Sequence, residues 1–476
     1  MPWLIFILAF VIRLFSVWPD NTIVGFDQAR DFFQALQITR GDLKIIGPVA
    51  GNNSSLHHGV AWLYFIALPI LVGKGNPIWI VLWNSVFNAL SAVAIYLLAQ
   101  NMFNKRAAII SALVAAFSYY FVSYSGWLSN PTLTLFTVPL FFYGLWQYYR
   151  GKSAGWRTWG LPLCFLFLGL SIQLELFFIY LIPTFVIAWL ILRPKFPGLK
   201  TSAYCLVTLF LSLSTMIATE IKFNFAGVKS LLSAGQLVGG SGTNISQFIN
   251  RFADTFAQNL VPGSFILLLV LLLKIKGHKN LQFLLIYLLS PALMLFLGYH
   301  SAPWFLIGLP PAICLLTGYV LSLIPLGGII PIVIFICFFN LRGNKLTLLE
   351  PDKAALLTKQ IQVMNYTYQN SKGQPFAINT VTNPLYINAV WAWNYRWYSQ
   401  KYGFLPSFAG GDQLPPYNVL PKSDGQEKIF YLIIDQTPRI PPIYTANAQN
   451  WAKENGKLVE EKDFDGIKVE KYQTSY

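Results

Sequence analysis

Long apolar runs recur along this chain from its first residues to about position 340. They fall near 2–18, 77–101, 107–126, 131–149, 159–171, 175–192, 201–219, 260–274, 281–298, 302–322 and 328–340. Most are long enough to cross the hydrocarbon core of a bilayer as a helix, the structure that satisfies every backbone polar group within one segment. Only 11% of the residues are charged and 55% are hydrophobic, against roughly 25% charged in a soluble globular protein. The expected fold is an all-α polytopic membrane bundle of about eleven transmembrane helices. Its first run lacks a basic leader and a small-residue cleavage site, so it reads as a retained span. The apolar stretch 159–192 is too long for one span and divides at the polar Ser171-Ile172-Gln173-Leu174-Glu175.

The net charge of +15 invites a nucleic-acid reading, but its distribution argues against one. Four short connectors carry Lys105 and Arg106; Arg150, Lys152 and Arg157; Arg193, Lys195 and Lys200; and Lys274, Lys276 and Lys279, with no acid among them. All four fall on one side of the expected bundle, which the positive-inside rule makes cytoplasmic. The charge is mostly a topology signal. The segment His58 to Gly73 is apolar enough to span, yet counting it would put two basic connectors outside. It reads as a re-entrant or interfacial element interrupted by Pro69. The N-terminus is then cytoplasmic, and the other face carries a first loop of roughly 19–76 and a loop at 219–259. That second loop holds the flexible run Val238 to Thr243, which suits a gate or a plain linker. Short outer loops and the lack of a retention signal point to a multi-pass protein of a bacterial plasma membrane. Cys164, Cys205, Cys314 and Cys337 all lie in apolar segments and read as small core residues.

From about 341 the character changes. Helical patterns over 354–369, 385–402 and 446–455 alternate with strand patterns over 375–382, 428–435 and 466–472. That predicts a small α/β domain, 341–476, on the extracytoplasmic side of a membrane module, 1–340. Trp391, Trp393 and Trp397 could stack on sugar rings, although aromatics at helical spacing more often serve core or membrane-interface packing.

The stretch Gly25 to Asp31 holds the clearest chemical signal. Asp27, Arg30, Asp31 and Gln34 sit at i, i+3, i+4 and i+7, so a helix gathers them on one face. Phe26, Ala29, Phe33 and Leu36 fall opposite, which suits a helix lying in a membrane interface. A solvated polar face is the simpler reading. The topology, however, places further ionisable and amide groups at the same membrane level. They are His57, His58, Asn130, Gln173, Glu175, Glu220, Lys222 and His300. Any one of them can be an interfacial anchor; together they describe a polar cavity at the outer boundary. A lipid-phosphate-linked sugar presents its anomeric carbon and phosphate at that depth. Its transfer needs a general base for the acceptor proton and positive charge for the departing phosphate. It does not need the paired carboxyl groups of a hydrolase.

An acid at the start of a long first outer loop, followed by Leu56-His57-His58-Gly59-Val60-Ala61-Trp62-Leu63-Tyr64, resembles the GT-C membrane glycosyltransferases. Within them it is most similar to the family 39 and aminoarabinose-transferase-like group, which includes protein O-mannosyltransferases. That group carries a first-loop Asp and an (H/K)-x-P-L-x-Y stretch in a juxtamembrane element. Here Gly59-Val60 stands where relatives show Pro or Gly, and Asn130 in Ser129-Asn130-Pro131 stands where they often show Asp or Glu. Gly169 to Glu175, Glu220 to Phe223, and His300 with Trp304 and Pro310 resemble three further family stretches. The resemblance implies a polyprenyl-phosphate-linked sugar donor, a lipid, glycan or protein acceptor, inversion at the anomeric centre, and Asp27 as the general base. Arg30, Asp31, His57, His58, Asn130, Gln173, Glu175, Glu220, Lys222 and His300 would bind donor phosphate or sugar. Asp27 and Asp31 are four apart and form no Asp-x-Asp, so no cofactor is required, although a divalent metal is compatible with oxygen ligands. A lipid-linked glycan flippase would predict internal symmetry and mid-span acids. A glycan ligase or polymerase would favour arginine-rich outer loops without an early acid.

Overall fold

The structure is a computed structural model that describes residues 1–17, 22–50, 55–151, 153–233, 245–259, 278–297, 303–343 and 352–474. Helices α1 (Pro2–Val17), α2 (Phe26–Thr39), α3 (Ala61–Val72), α4 (Pro77–Met102), α5 (Lys105–Phe117), α6 (Tyr119–Gly126), α7 (Thr134–Arg150), α8 (Ala154–Leu174), α9 (Leu181–Leu192), α10 (Leu199–Lys222), α11 (Ala226–Ser233) and α12 (Ile245–Asn259) come first. Helices Lys279–Leu289, Leu309–Ser322 and Leu326–Gly343 follow. Among the described residues three helices, Pro77–Met102, Gly155–Leu174 and Leu199–Lys222, are long and apolar enough to cross a membrane. The pair α5 and α6, bent by 45°, makes a fourth if it counts as one broken span. The remaining apolar helices are shorter, so the apolar runs become helices without each one being a full-length span. The 260–274 run lies outside the described residues, as does the Val238–Thr243 run. Around the latter, 219–259 holds two helices, α11 and α12, where the sequence reading has a loop.

The break between α5 and α6 is stitched by polar side chains that lie inside the bundle. Ser118 turns to φ −55°, ψ 128°, which strands the last carbonyls of α5. Arg13 of α1, fully buried, reaches across to them. Its Nη1 donates to Ala116 O at 3.0 Å and Nη2 to Ala115 O at 3.3 Å, while Nε donates to Asn88 Oδ1 at 2.6 Å. Asn88 and Asn84 of α4 then donate to carbonyls of α6, at Phe121 and Ser125. A cation inside a membrane bundle is expensive unless it is used in this way. Replacing Arg13 by Met should therefore orphan two carbonyls at roughly 1–3 kcal/mol each. A clear drop in the melting temperature of the detergent-solubilised protein is the expected result; an unchanged melting temperature would refute the role.

The C-terminal region forms one mixed sheet in the order β2-β1-β3-β5-β4. Its strands are β1 (Ala377–Val381), β2 (Ser407–Phe408), β3 (Ile429–Asp435), β4 (Lys457–Asp463) and β5 (Ile467–Gln473). β1 runs parallel to β2 and β3, whereas β5 is antiparallel to both β3 and β4. The central strand β3 is an unbroken apolar run because both faces are covered. Tyr431 and Ile433 join a core with helices Leu357–Asn370 and Ala389–Tyr398, while Phe430, Leu432 and Ile434 join another with helix Pro442–Asn455. The first of these cores does not stop at the C-terminal region. It continues through Phe32 and Phe33 of α2 and Trp62, Leu63 and Ile66 of α3.

That continuity alters two expectations. Trp391 and Trp393 are fully buried, and Trp393 packs on Phe32 and Phe33 with ring centroids at 5.4 and 5.0 Å. They are core residues, closed to a sugar ring, and Trp397 is partly buried against the same core. Likewise α2 does not lie with an apolar face in lipid. It is held between α3 and the C-terminal region, because its aromatic residues find protein partners on both sides.

Candidate active site

Helix α2 owes its start to Gly25, whose N–H is accepted by Gln28 Oε1 at 3.0 Å, and its end to Gly41, in the left-handed region at φ +92°. Two hydrogen bonds fix its approach, one from the backbone and one from a side chain. Ile23 N–H donates to Gly126 O at the end of α6, and Gln360 Nε2 donates to Val24 O. The first turn thus presents Asp27 outward, with 66% of its side chain exposed, while Asp31 one turn on is 2% exposed. Arg30 lies between them. Its Nη1 reaches Asp27 Oδ1 at 2.7 Å, and its Nη2 and Nε both reach Asp31 Oδ1 at 2.9 Å. Burial would lower the Arg30 value, but Asp31 and Asp27 beside it hold it above the ordinary one. Burial pushes the Asp31 carboxyl up to about 6 against the pull of Arg30. One buried acid, one clamped guanidinium and one exposed carboxylate are therefore arranged in series.

A second cluster forms where the first loop meets the end of α8. His58 Nδ1 accepts from Leu176 N–H at 3.2 Å and lies 3.3 Å from Glu175 Oε1. Asn130 Nδ2 donates to Leu174 O at 2.5 Å and to Glu175 Oε2 at 3.5 Å. Gln173 Oε1 accepts from Val60 N–H at 3.1 Å, and Gln173 Nε2 donates to Thr215 Oγ1 of α10 at 2.7 Å. The approach is so close that a Cβ on Gly59 would sit 1.8 Å from Gln173 Oε1, which is why glycine stands there. Asn at position 130 is equally specific. Its amide donates to the Leu174 carbonyl, which a carboxylate could not do.

The proton balance of this cluster follows from burial. Desolvation, only partly offset by the Phe177 N–H and the Asn130 amide, pushes Glu175 up to about 8. Burial, then the charges of Arg30 and His57, push His58 down to about 3. At neutral pH both are uncharged. Because Nδ1 of His58 accepts a backbone N–H, its ring hydrogen belongs on Nε2. A carboxyl raised in the fold binds more protons there than in the unfolded chain, so stability falls as pH rises from the ordinary 4.5 to about 8. We expect the melting temperature to decline between neutral pH and about 8, and Glu175→Gln, a neutral mimic of the acid, to flatten that decline. A Glu175→Gln variant with an unaltered slope would contradict the assignment.

His57 and His58 line a cavity of about 260 Å³ with Ser55, Thr219 and Glu220 on its polar side and Ile45, Ile46, Met216 and Phe223 on its apolar side. Thr219 Oγ1 donates to Ile45 O at 2.6 Å and ties the first loop to α10. His57 Nδ1 lies 2.9 Å from Gly47 O. Glu220 reaches the cavity but also accepts Val228 N–H at 3.1 Å, serving the start of α11. Lys222 does not line the cavity; its ammonium lies 5.6 Å from the Phe223 ring. His300 lies outside the described residues. Among the described residues, no group of three or more His, Cys, Asp and Glu side chains is placed to hold a metal ion.

The structure thus gathers Asp27, Arg30 and Asp31 in one cluster, His58, Asn130, Gln173 and Glu175 in a second, and His57 and Glu220 at the cavity. Tyr417 is a neighbour that sequence reasoning missed. It comes from the C-terminal region and packs on Phe26 and Phe33 at 6.3 and 5.5 Å. A loop of turn residues around Pro415 and Pro416 gives no sign that it will meet a helix some 390 residues earlier.

A helical bundle and a C-terminal region whose helix Ala389–Tyr398 packs on α2 of the first loop make up the architecture. Residues 57–219, about a third of the chain, match the model of the family described as dolichyl-phosphate-mannose-protein mannosyltransferase. Two solved structures of ArnT from Cupriavidus metallidurans share the fold over 98% of this chain and 97% of theirs. The one bound to undecaprenyl phosphate has a TM-score of 0.67 at 11% identity, and the apo form 0.64 at 10%. No curated protein matches the chain in sequence. The resemblance read from the first loop is borne out as a GT-C fold.

Proposed function

We propose that this chain is an integral membrane glycosyltransferase that moves a sugar from a polyprenyl-phosphate-linked donor to an acceptor on the extracytoplasmic side, with inversion. About eleven spans, a cytoplasmic N-terminus, a bacterial plasma membrane location, and a membrane module 1–340 bearing an extracytoplasmic domain 341–476 belong to the same reading. The observation that carries it is the amphiphilic cavity between the first loop and the end of α10. Its polar side offers His57 and His58, and its apolar side adjoins α10, whose Leu206, Val207, Phe210 and Leu211 are exposed. A phosphate on a hydrocarbon tail needs such a boundary. The family description of residues 57–219 and the lipid phosphate named in the ArnT structure support the same ligand class.

In this mechanism the acceptor hydroxyl gives its proton to the exposed Asp27 carboxylate as its oxygen bonds to the anomeric carbon. The bond from that carbon to the phosphate oxygen breaks, and the electron pair leaves with the lipid phosphate. Arg30 and the Nε2–H of His58 stabilise the charge that develops there. Protonated Glu175 keeps a second negative charge away from the phosphate. The proton on Asp27 then passes to water. The test is transfer of a labelled sugar from short-chain polyprenyl-phosphate donors of known configuration to a panel of acceptors. Product with inverted configuration supports the reading; lipid-linked sugars that bind but are never consumed would favour transport.

A further inference from the structure

A pocket of about 420 Å³ that shares no lining residue with that cavity lies where the α3–α4 turn meets the C-terminal region. Lys74, Asn76 and Trp79 line it from the turn, and Trp397, Gln400 and Lys401 from the other side. Gln400 Nε2 donates to Lys74 O at 2.9 Å and fixes the two walls together. Lys401 Nζ sits 5.7 and 5.2 Å from the rings of Tyr398 and Tyr402. Arg396 underlies the turn. Its guanidinium lies 5.4 Å from the Trp393 ring, and its buried Nη1 has no hydrogen-bond partner among the described residues. A Cβ on Gly75 would lie 3.1 Å from that Nη1, so the guanidinium is directly beneath the turn. Among the described residues no acid lines the pocket. Two lysines in the lining, a guanidinium beneath the turn and no carboxylate call for an anion.

The apolar part of a ligand has its place one helical turn away. Val11, Leu14 and Phe15 of α1 and Ile78, Val81 and Leu82 of α4 form an apolar groove of about 450 Å³. Trp79 of the pocket and Leu82 of the groove are three residues apart and share a face of α4. Leu68, Leu71 and Val72 of the neighbouring α3 are exposed, as expected of a surface that meets hydrocarbon. Trp and Lys side chains above such a surface mark the headgroup level.

We propose that the pocket and groove together bind an anionic phospholipid, with its phosphate on Lys74 and Lys401 and an acyl chain between α1 and α4. The charge separates it from a neutral lipid, and the groove separates it from a free phosphate. By bridging Lys74 and Lys401, the lipid holds the C-terminal region on the α3–α4 turn.

The test uses the full-length protein in a neutral detergent, with native mass spectrometry and thermal melting in the presence of phosphatidylglycerol, phosphatidylcholine or inorganic phosphate. Phosphatidylglycerol should bind in a defined stoichiometry and raise the melting temperature. The double variant Lys74→Asn, Lys401→Gln should bind it roughly tenfold or more weakly; Asn is chosen because Lys74 has φ +50°. Lys401→Gln alone, at an exposed side chain, keeps the test open should the double variant not fold. Equal binding of phosphatidylcholine, or unweakened binding by the folded variants, overturns the proposal. Protection by inorganic phosphate as strong as by phosphatidylglycerol overturns the lipid assignment as well.

Discussion

Replacing Asp27 by Asn is expected to reduce sugar transfer by roughly 10²–10⁴-fold, the usual contribution of a positioned general base, while leaving the fold intact. The carboxylate is two-thirds exposed and its partner Arg30 keeps a second acid, so the lost ion pair costs little stability. Asn is nearly isosteric and still accepts from Arg30, but it cannot take a proton from an acceptor hydroxyl. The loss should therefore fall on turnover and spare donor binding, as measured by retained binding of a polyprenyl phosphate. A variant with full turnover would place the base elsewhere.

Arg30→Met should act on both stability and activity. Asp31 is buried, and both of its near guanidinium contacts come from Arg30. Removing one partner of a buried pair leaves the other charge uncompensated, at about 3–5 kcal/mol. The pH dependence gives the loss a signature. Asp31 already lies above its ordinary 3.8, at about 6, so the fold holds its proton more tightly than the unfolded chain. Stability contributed by that proton declines as pH rises through this window. Without Arg30 the carboxyl rises further, and acidification should recover part of the lost melting temperature. Adding Asp31→Asn removes the buried charge and should restore most of the stability at neutral pH. Activity should stay low, because no guanidinium remains for the departing phosphate. If the double variant recovered both, Arg30 would be structural alone.

Much of this site can be read in the sequence because its logic is local. Asp27, Arg30 and Asp31 meet since helical spacing brings i, i+3 and i+4 together. The apolar runs became helices because a run of Leu, Ile, Phe and Val leaves the backbone few other ways to satisfy itself in a membrane. What the sequence concealed depends on contacts far along the chain. Nothing near Asp31 says that it is buried; Phe32 and Phe33 pull α2 under Trp393, and the acid goes with them. The tryptophans at 391 and 393 sit at the helical spacing that more often means packing than sugar binding, and α2 is the cover that makes them core. Arg13 sits in an apolar segment without a visible reason, since the carbonyls it serves are exposed by a break about a hundred residues later. β4 escaped notice because every one of its residues is exposed and it carries the charges of an edge strand instead of an alternating pattern. Glu175 marks the polar break between two apolar runs; its neutral state is set by burial beside His58 and Asn130, which only the folded chain brings to it.

Transfer from a lipid-linked phosphate sugar shows itself as acceptor-dependent release of polyprenyl phosphate. Purified wild-type protein would be supplied with a short-chain polyprenyl-phosphate sugar, with and without candidate acceptors. Release that requires the acceptor and matches the sugar transferred mole for mole is the predicted result. Release at the same rate without any acceptor would make the protein a hydrolase, and bound donor that is never cleaved under any acceptor would contradict the account altogether.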